Sequence, residues 1–174
     1  MGIQFETDYN METLTAMAKG LRKTVRKKRS RRVHIFAAVV LILGLLTILA
    51  TTAGGEPLGA SGVVTLLAML VVILVSLFED KLNAWFARKR LLLGTEHAVA
   101  TFEEDGYVSA TGVTESRFSY AQIVAVAETA RYFVFALSSH HTQAYDKRTI
   151  RGGSVEDFRA FIAEKTGKLV ENIK

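Results

Sequence analysis

Two long stretches without a formal charge constrain this 174-residue chain more than any other feature. They cover residues 33–55 and 57–78, and only Glu56 separates them. Both consist largely of aliphatic residues, phenylalanine and alanine. A bilayer core about 30 Å thick is crossed by about 20 helical residues, so each stretch is long enough to span a membrane. The sequence therefore predicts a membrane-embedded helical hairpin.

Neither a soluble helical core nor a cleaved signal peptide fits these stretches as well. Buried helices of a soluble protein usually keep a polar face, and a chain this short could not surround two wholly apolar helices and also fold a second core. A cleaved signal peptide starts with a shorter charged segment than the 32 residues that precede the first stretch here. A second apolar stretch also follows at once, which excludes a simple leader.

The apolar stretches divide the chain into segments. The connection between them is rich in glycine and contains the only proline, Pro57, as is typical of a tight turn. The predicted segments are a cytoplasmic N-terminal segment with a short strand and a basic juxtamembrane helix (1–32), a first span (33–53), a short external turn (54–61), a second span (62–79), a juxtamembrane helical extension (80–96) and a cytoplasmic domain (97–174).

Lysine and arginine predict the orientation of the hairpin. Nine of them precede the first stretch, four lie between the second stretch and residue 97, and the connecting turn has none. Because basic residues near membrane ends stay on the cytoplasmic side, we expect a two-span protein of the cell membrane with both termini in the cytoplasm. The single tryptophan is either an interfacial anchor or a contact to the soluble domain. The residues expected at the membrane interface are Arg26, Lys27, Lys28, Arg29, Arg31, Arg32, Trp85, Arg88, Lys89 and Arg90.

The distribution of charge argues against nucleic acid as a partner. The overall charge of +5 comes from residues 1–32, whereas residues 97–174 carry nine basic and ten acidic residues. A nucleic-acid-binding module concentrates its basic residues on the folded domain. The expected partner of the basic flank is the lipid bilayer, where anionic headgroups attract each basic residue by about 1 kcal/mol.

From residue 97 onward the pattern becomes that of short strands. Residues 97–102 and 107–112 surround an acidic turn and predict a β-hairpin in which Asp105 and Gly106 supply the positive φ angles. Residues 116–129 predict one bent strand or two, and residues 131–138, apolar on both faces, predict a covered central strand. Ser154 and Asp157 resemble a capping box that begins a final helix. The fold class expected is a membrane α-helical hairpin plus a small α+β domain, an antiparallel β roll or half-barrel capped by its C-terminal helix.

The residues of these segments resemble the YcxB-like family of bacterial membrane proteins. The resemblance is carried by an F-E-T segment near the N-terminus, TFEEDGY, SYAQIVAVAET, RYFVFAL and the closing AYDKRTIRGGSVEDFRAFIAEKTGK. Many members have a proline and an aromatic residue around the lysine of the closing segment, where this chain has Asp146 and Ile150. The resemblance implies a two-span hairpin and a C-terminal domain that is pleckstrin-homology-like (PH-like), and it implies no particular activity.

No motif in the sequence predicts chemistry. The chain has no cysteine and only four histidines, and it contains no nucleophile elbow, phosphate loop or dinucleotide fingerprint. Ion and proton routes normally require ionisable residues within the membrane, and neither predicted span contains a charged residue. We therefore expect no catalytic residue, no metal site and no cofactor, and we expect a protein that is not an enzyme.

Two functional hypotheses remain. The leading one is a non-enzymatic protein that tethers a small interaction domain to the membrane, for a protein or peptide partner, as an accessory subunit or as a homo-oligomer. The alternative is a protein whose domain senses lipid or the membrane surface. In PH-like modules that bind phosphoinositides the first hairpin is basic, whereas here it carries Glu103, Glu104 and Asp105. A small basic edge for a ligand remains in the residues Lys147, Arg148 and Arg151.

Overall fold

The computed structural model describes residues 2–55 and 57–173, which contain five α-helices and eight strands. Glu56, the acidic residue of the expected external turn, lies outside these residues, as do Met1 and Lys174. The elements are, in chain order, β1 (Ile3–Asp8), α1 (Met11–Lys23), α2 (Lys27–Ala53), α3 (Ala60–Leu77), α4 (Glu79–Lys89), β2 (His97–Phe102), β3 (Tyr107–Thr111), β4 (Glu115–Phe118), β5 (Ala125–Glu128), β6 (Tyr132–Ala136), β7 (Thr142–Asp146), α5 (Val155–Thr166) and β8 (Val170–Asn172).

Helices α2 and α3 are long and apolar enough to cross a membrane. At a rise of about 1.5 Å per residue, even the 18 residues of α3 extend about 27 Å. Neither helix contains a buried residue. They pack against each other at Gly44, where an added Cβ atom would lie 2.8 Å from the sulfur of Met69. The two helices therefore form a close hairpin whose apolar side chains face outward.

Both ends of this helical hairpin are separated from their neighbouring helices by short breaks. The sequence predicts one continuous helix from residue 11 into the first span, and this is wrong, because α1 ends at Lys23 and α2 begins at Lys27. The break contains the β-branched pair Thr24 and Val25, and the Thr24 hydroxyl donates to the carbonyl of Gly20 at 2.7 Å. On the other side, α3 and α4 meet at Phe78 (φ −104°, ψ 18°). Because of these breaks, α1 need not continue the axis of α2, and α4 need not continue the axis of α3.

The strands form two four-stranded sheets. The first has the order β1-β2-β3-β4 and is antiparallel throughout. The second has the order β7-β6-β5-β8, in which only β8 runs parallel to its neighbour, β5. The N-terminal strand expected from the sequence is present as β1, and it pairs with β2 over its whole length, from Ile3 opposite Phe102 to Asp8 opposite His97. Helices α1 to α4 are thus inserted between two adjacent strands of one sheet.

An aromatic core fills the space between the sheets, with α5 against it. Phe158 of α5 lies 4.6 Å from Phe5 and 5.0 Å from Phe133, between ring centroids. All three are fully buried, as is Ile162 one turn after Phe158. The Ser154 capping box that begins α5 is confirmed, with Asp157 as its reciprocal partner. The C-terminal domain is therefore built from two sheets and one helix, with β1 contributed from the other end of the chain.

The central strand β6 is buried on both faces, as its composition predicts. Phe133 and Phe135 face the aromatic core, whereas Tyr132 and Val134 belong to a second apolar cluster on the opposite face. Helix α1 covers that face, and Ala16 is part of the same cluster. The helix next to the first span is therefore a structural part of the domain.

Two local expectations fail, and one strand was not expected. Neither Asp105 nor Gly106 has a positive φ angle; the turn closes through the amide of Glu103, which donates to the carbonyl of Gly106 at 2.8 Å. Glycine is needed there for space, because a Cβ atom at position 106 would lie 2.5 Å from the carbonyl oxygen of Phe118. The spacing of the apolar residues in the final helix predicts Leu169 as the end of its buried stripe, but Leu169 lies beyond the end of α5 and is 88% exposed. Strand β8 follows it and was not expected.

Candidate functional site: a basic groove at the base of the helical hairpin

Helix α4 folds back onto α1 and fixes the base of the helical hairpin. Ala84 of α4 is fully buried in this contact, where its small side chain permits a close approach. The guanidinium of Arg22 donates two hydrogen bonds to Asp80, at 2.7 and 2.6 Å. The hydrogen bond to Asp80 raises the pKa of Arg22 above its ordinary value. The Arg22–Asp80 pair thus links the segment before the first apolar helix to the segment after the second.

Helix α1 in turn fixes the helical hairpin to the second sheet. A Cβ atom added at Gly20 would lie 2.7 Å from a methyl carbon of Val134, so helix and strand are in direct backbone-to-side-chain contact. At the start of the helix the buried Thr13 hydroxyl lies 3.2 Å from the Tyr132 hydroxyl. Asn10 caps the helix by accepting from the amides of residues 12 and 13. The domain and the hairpin are therefore joined by a packed interface.

A groove of about 640 Å³ opens where these pieces meet. Its walls are α1, the first turns of α2, helix α4 and the turn between β6 and β7. We call it the basic groove. Its charged and histidine lining consists of Arg22, Arg26, Arg29, Arg90, Glu79, His140 and His141, and its apolar lining includes Leu14, Met17, Leu21, Val33 and Phe86.

The four arginines of the basic groove differ in how they are held. Arg22 is paired with Asp80, and it lies 3.8 Å from Glu79. Arg26 donates from Nε to the carbonyl of Ser139 at 2.6 Å, which holds the β6–β7 turn against the start of α2. Among residues 2–55 and 57–173, no carboxylate lies within ion-pair distance of Arg29 or Arg90. Two guanidinium groups therefore remain available to an anion.

The structure separates the expected interface residues into two groups. Arg26, Arg29 and Arg90 line the basic groove. The remaining basic residues lie outside its lining, and Arg88 borders a separate cavity of about 420 Å³ with Asp8 and Glu96. Those outside the basic groove are Lys27, Lys28, Arg31, Arg32, Arg88 and Lys89.

Trp85 points away from the domain. Its side chain is 44% exposed, and its nearest aromatic neighbour is Phe86 of the same helix, with ring centroids 5.0 Å apart. The ammonium of Lys89 lies 3.6 Å above the indole ring, one turn further along α4. The preceding residue, Ala84, is the buried residue of α4, and the interfacial role of Trp85 stays a prediction.

The basic edge considered on the domain is engaged in ion pairs. Arg148 pairs with Asp146 at 3.0 Å, and Arg151 pairs with Glu6 at 3.1 Å. The ammonium of Lys147 lies 2.9 Å from a carboxylate oxygen of Glu128. Lys147 and Arg151 therefore connect the segment after β7 to β5 and to β1, whereas the Arg148 pair is local.

Glu128 is one of the two buried carboxylates of this network, with Asp146. It is 5% exposed, and Arg159 donates to both of its oxygens at 2.7 Å. The hydrogen bond from Arg159 and then that from Lys147 hold the pKa of Glu128 below its ordinary value of 4.5. An ionised, doubly compensated carboxylate of this kind is a structural link between α5 and the second sheet.

The histidines do not assemble a metal site. Within the described ranges 2–55 and 57–173, no group of three or more histidine and carboxylate side chains could hold a metal ion. The sequence predicts His140 and His141 as turn residues, and they lie in the β6–β7 turn; both also border the basic groove, which sequence reasoning missed. The β6–β7 turn is distant in sequence from the two apolar helices, so no pattern in the residues around it indicates that it lies beside the groove.

The acidic turn between β2 and β3 is held by the domain itself. Glu104 forms an ion pair with Lys165 of α5, and this contact holds the pKa of Glu104 below its ordinary value. The Tyr120 hydroxyl donates to the carbonyls of Glu103 and Gly106, at 2.6 and 3.0 Å. The negative charge expected from the sequence thus stays on the side of the domain where α5 lies.

Comparison with known proteins identifies the region from the end of β2 through β7 and into α5. A family model described as YcxB-like protein matches residues 102–162, from the end of β2 to within α5. This match confirms the family resemblance predicted from the sequence, over about a third of the chain. Searches of the curated proteins and of the solved structures gave no match.

Proposed function

We propose that this chain, whose residues 102–162 match the YcxB-like family model, is a non-enzymatic membrane protein that holds a PH-like domain against the cytoplasmic surface of the bilayer. The domain senses the lipid surface there. The observation that carries the proposal is the basic groove, which lies where the helical hairpin meets the domain.

Insertion of the helical hairpin follows from its surface. Large apolar side chains along α2 and α3 are about half exposed, among them Leu46 (55%) and Leu67 (57%). Such a continuous apolar surface is not stable in water. The hydroxyls of Thr47, Thr51 and Thr65 donate to carbonyls of their own helices, which satisfies them in hydrocarbon. Lipid is therefore the environment that this hairpin fits.

The orientation follows from where the charges lie. Residues 27–32 form the first turns of α2 and carry five basic residues, and α4 ends on Arg88 and Lys89. Both sets lie at the end of the helical hairpin that carries the domain. The positive-inside rule assigns that end to the cytoplasm. A PH-like arrangement is supported by the two sheets around an aromatic core with a final helix against it.

Rigid attachment favours a surface-sensing role over a simple tether. A flexible linker would leave the domain free to turn, whereas α1 and α4 are fixed by the Arg22–Asp80 pair and by the contact of Gly20 with Val134. One face of the domain is thus always directed at the membrane. The charges of lipid headgroups attract protein charges only within about a Debye length. A domain that senses them must therefore stay close to the membrane surface, as this attachment ensures.

A protein or peptide partner remains the second candidate, and one edge strand favours it. Among the described residues, β4 pairs only with β3, so its other edge could accept an added strand. The strand is short, and it carries the exposed charges Glu115 and Arg117, a composition that discourages edge pairing. We therefore rank this role below that of surface sensing.

Single cysteines test the proposed topology directly, because the chain has no cysteine of its own. Ser61→Cys lies in the first turn of α3, and Ser116→Cys lies on the exposed β4. A membrane-impermeant maleimide applied to intact spheroplasts should label the S61C variant and should label the S116C variant only after lysis. Labelling at position 116 before lysis would refute the orientation. A chain that purifies as a soluble monomer without detergent would refute insertion.

Lipid and protein partners can be separated with the full chain. Vesicle binding and cross-linking must use all of it, because a fragment that starts at residue 97 lacks β1 and its buried Phe5. Dependence of the domain's thermal stability on anionic lipid would support surface sensing. Stability that is independent of lipid charge, together with one cross-linked protein in stoichiometric amount, would instead favour the second candidate.

A further inference from the structure

We infer that the basic groove binds the phosphate of an anionic phospholipid headgroup, an inference that rests on the proposed membrane insertion. Four arginines line the groove against one carboxylate, Glu79. The planar fork of arginine matches two oxygens of a phosphate or a carboxylate, and phosphate is the anion that phospholipid headgroups carry at the membrane surface. The groove therefore selects for a phosphate-bearing ligand.

Arg29 and Arg90 are the residues expected to contact the phosphate. The charge of Arg22 is already compensated by Asp80, and Arg26 is oriented by a backbone carbonyl. Arg29 comes from the start of α2 and Arg90 from the end of α4, so the two approach the groove from separate helices. A phosphate between them would join the start of α2 to the end of α4.

The remaining lining explains why a lipid fits better than a soluble phosphate. Val33 and Phe86 line the same groove and are 53% and 52% exposed. Val33 is also the first residue of the charge-free stretch, one turn after Arg29. A ligand here can place its phosphate on the arginines and its glycerol and upper acyl carbons on the apolar wall. The volume, about 640 Å³, lies in the range of small-molecule sites.

The test uses the full chain in nanodiscs of phosphatidylcholine that contain a minor fraction of phosphatidylglycerol. Native mass spectrometry after release counts the phosphatidylglycerol molecules that stay bound. We expect the double variant Arg29→Gln with Arg90→Gln to lower retention at least about tenfold, since each lost charge-assisted contact weakens binding. The double variant Arg29→Lys with Arg90→Lys keeps both charges and should retain an intermediate amount.

A matched control removes the same charge from the same basic flank. Lys27 and Arg31 lie outside the groove lining, and each is two residues, about 200° of helix rotation, from Arg29. The double variant Lys27→Gln with Arg31→Gln should therefore retain lipid nearly as well as the native chain. Equal loss in both double variants would overturn the inference, because binding would then depend on net charge alone.

Two further outcomes are decisive. Complete displacement of the lipid by soluble glycerol phosphate would overturn the lipid assignment and give the site to a free phosphate compound. If the glutamine variant fails to fold, the lysine variant decides, since retention equal to that of the native chain would refute recognition by the guanidinium fork. Failure of the chain to enter nanodiscs would refute the proposed function itself, and that result is distinguishable from entry without lipid retention.

Discussion

Removing the Arg22–Asp80 pair should release α4 from α1. Hydrogen bonds between charged groups contribute about 1.5–3 kcal/mol. Here the side chains are 22% and 16% exposed, so the contribution should fall below the 3–5 kcal/mol typical of fully buried pairs. We expect Arg22→Met or Asp80→Asn to lower the free energy of opening of α4 by about 2 kcal/mol.

Hydrogen exchange in nanodiscs measures this opening. A loss of about 2 kcal/mol corresponds to amide exchange in α4 that is about 30-fold faster. The double variant should exchange little faster than either single variant, because the interaction is already lost, so the cycle should return a coupling energy of more than about 1 kcal/mol. Arg88→Gln, on the same helix and exposed, is the control and should leave exchange unchanged. Additive effects of the two single variants would refute the role of the pair as a clamp.

Three further perturbations test other parts of the structure. Gly20→Ala places a Cβ atom 2.7 Å from a methyl carbon of Val134. The resulting overpacking should cost about 1–3 kcal/mol and outweigh a helix-propensity gain of about 1 kcal/mol. The melting temperature should therefore fall, and adding Val134→Ala should restore it. Arg159 holds the pKa of Glu128 below 4.5 in the folded state, so the stability that Glu128 contributes should be complete above pH 4.5 and should be lost as the pH falls through its lowered pKa. In a pH-dependent denaturation series, the Glu128→Gln variant should lose less unfolding free energy on acidification than the native chain. An equal loss in both would contradict the role of Glu128 as an ionised link. Trp85, 44% exposed on α4, should be quenched more by lipids brominated near the glycerol than by lipids brominated at the chain ends, and the reverse order would exclude an interfacial position.

Features with a local physical cause could be predicted from the sequence. The two apolar helices follow from charge-free length, and the cap of α5 follows from the spacing of Ser154 and Asp157. The covered strand β6 follows from its apolar composition on both faces. In each case the residues that determine the structure are neighbours in the chain. Local propensity and periodicity are then sufficient evidence.

Features that depend on distant contacts could not be predicted in this way. Ile3 and Phe5 alternate as a strand should, but nothing near them indicates that their partner strand begins at His97. Strand β8 has three residues, two of them exposed, so it has almost no pattern of its own. The basic groove could not be predicted either, because α1, α4 and the β6–β7 turn meet only after the fold is complete.

The pairing of β1 with β2 also imposes an order on synthesis. The first six-residue strand leaves the ribosome before either apolar helix, yet it cannot find its partner until residue 102 has emerged. During that interval both apolar helices have already been synthesised, while β1 remains without its sheet. Closing this long loop late is entropically slow. The first sheet can therefore be completed only after both apolar helices have been synthesised, and a chain that ends before β2 carries a strand without its partner.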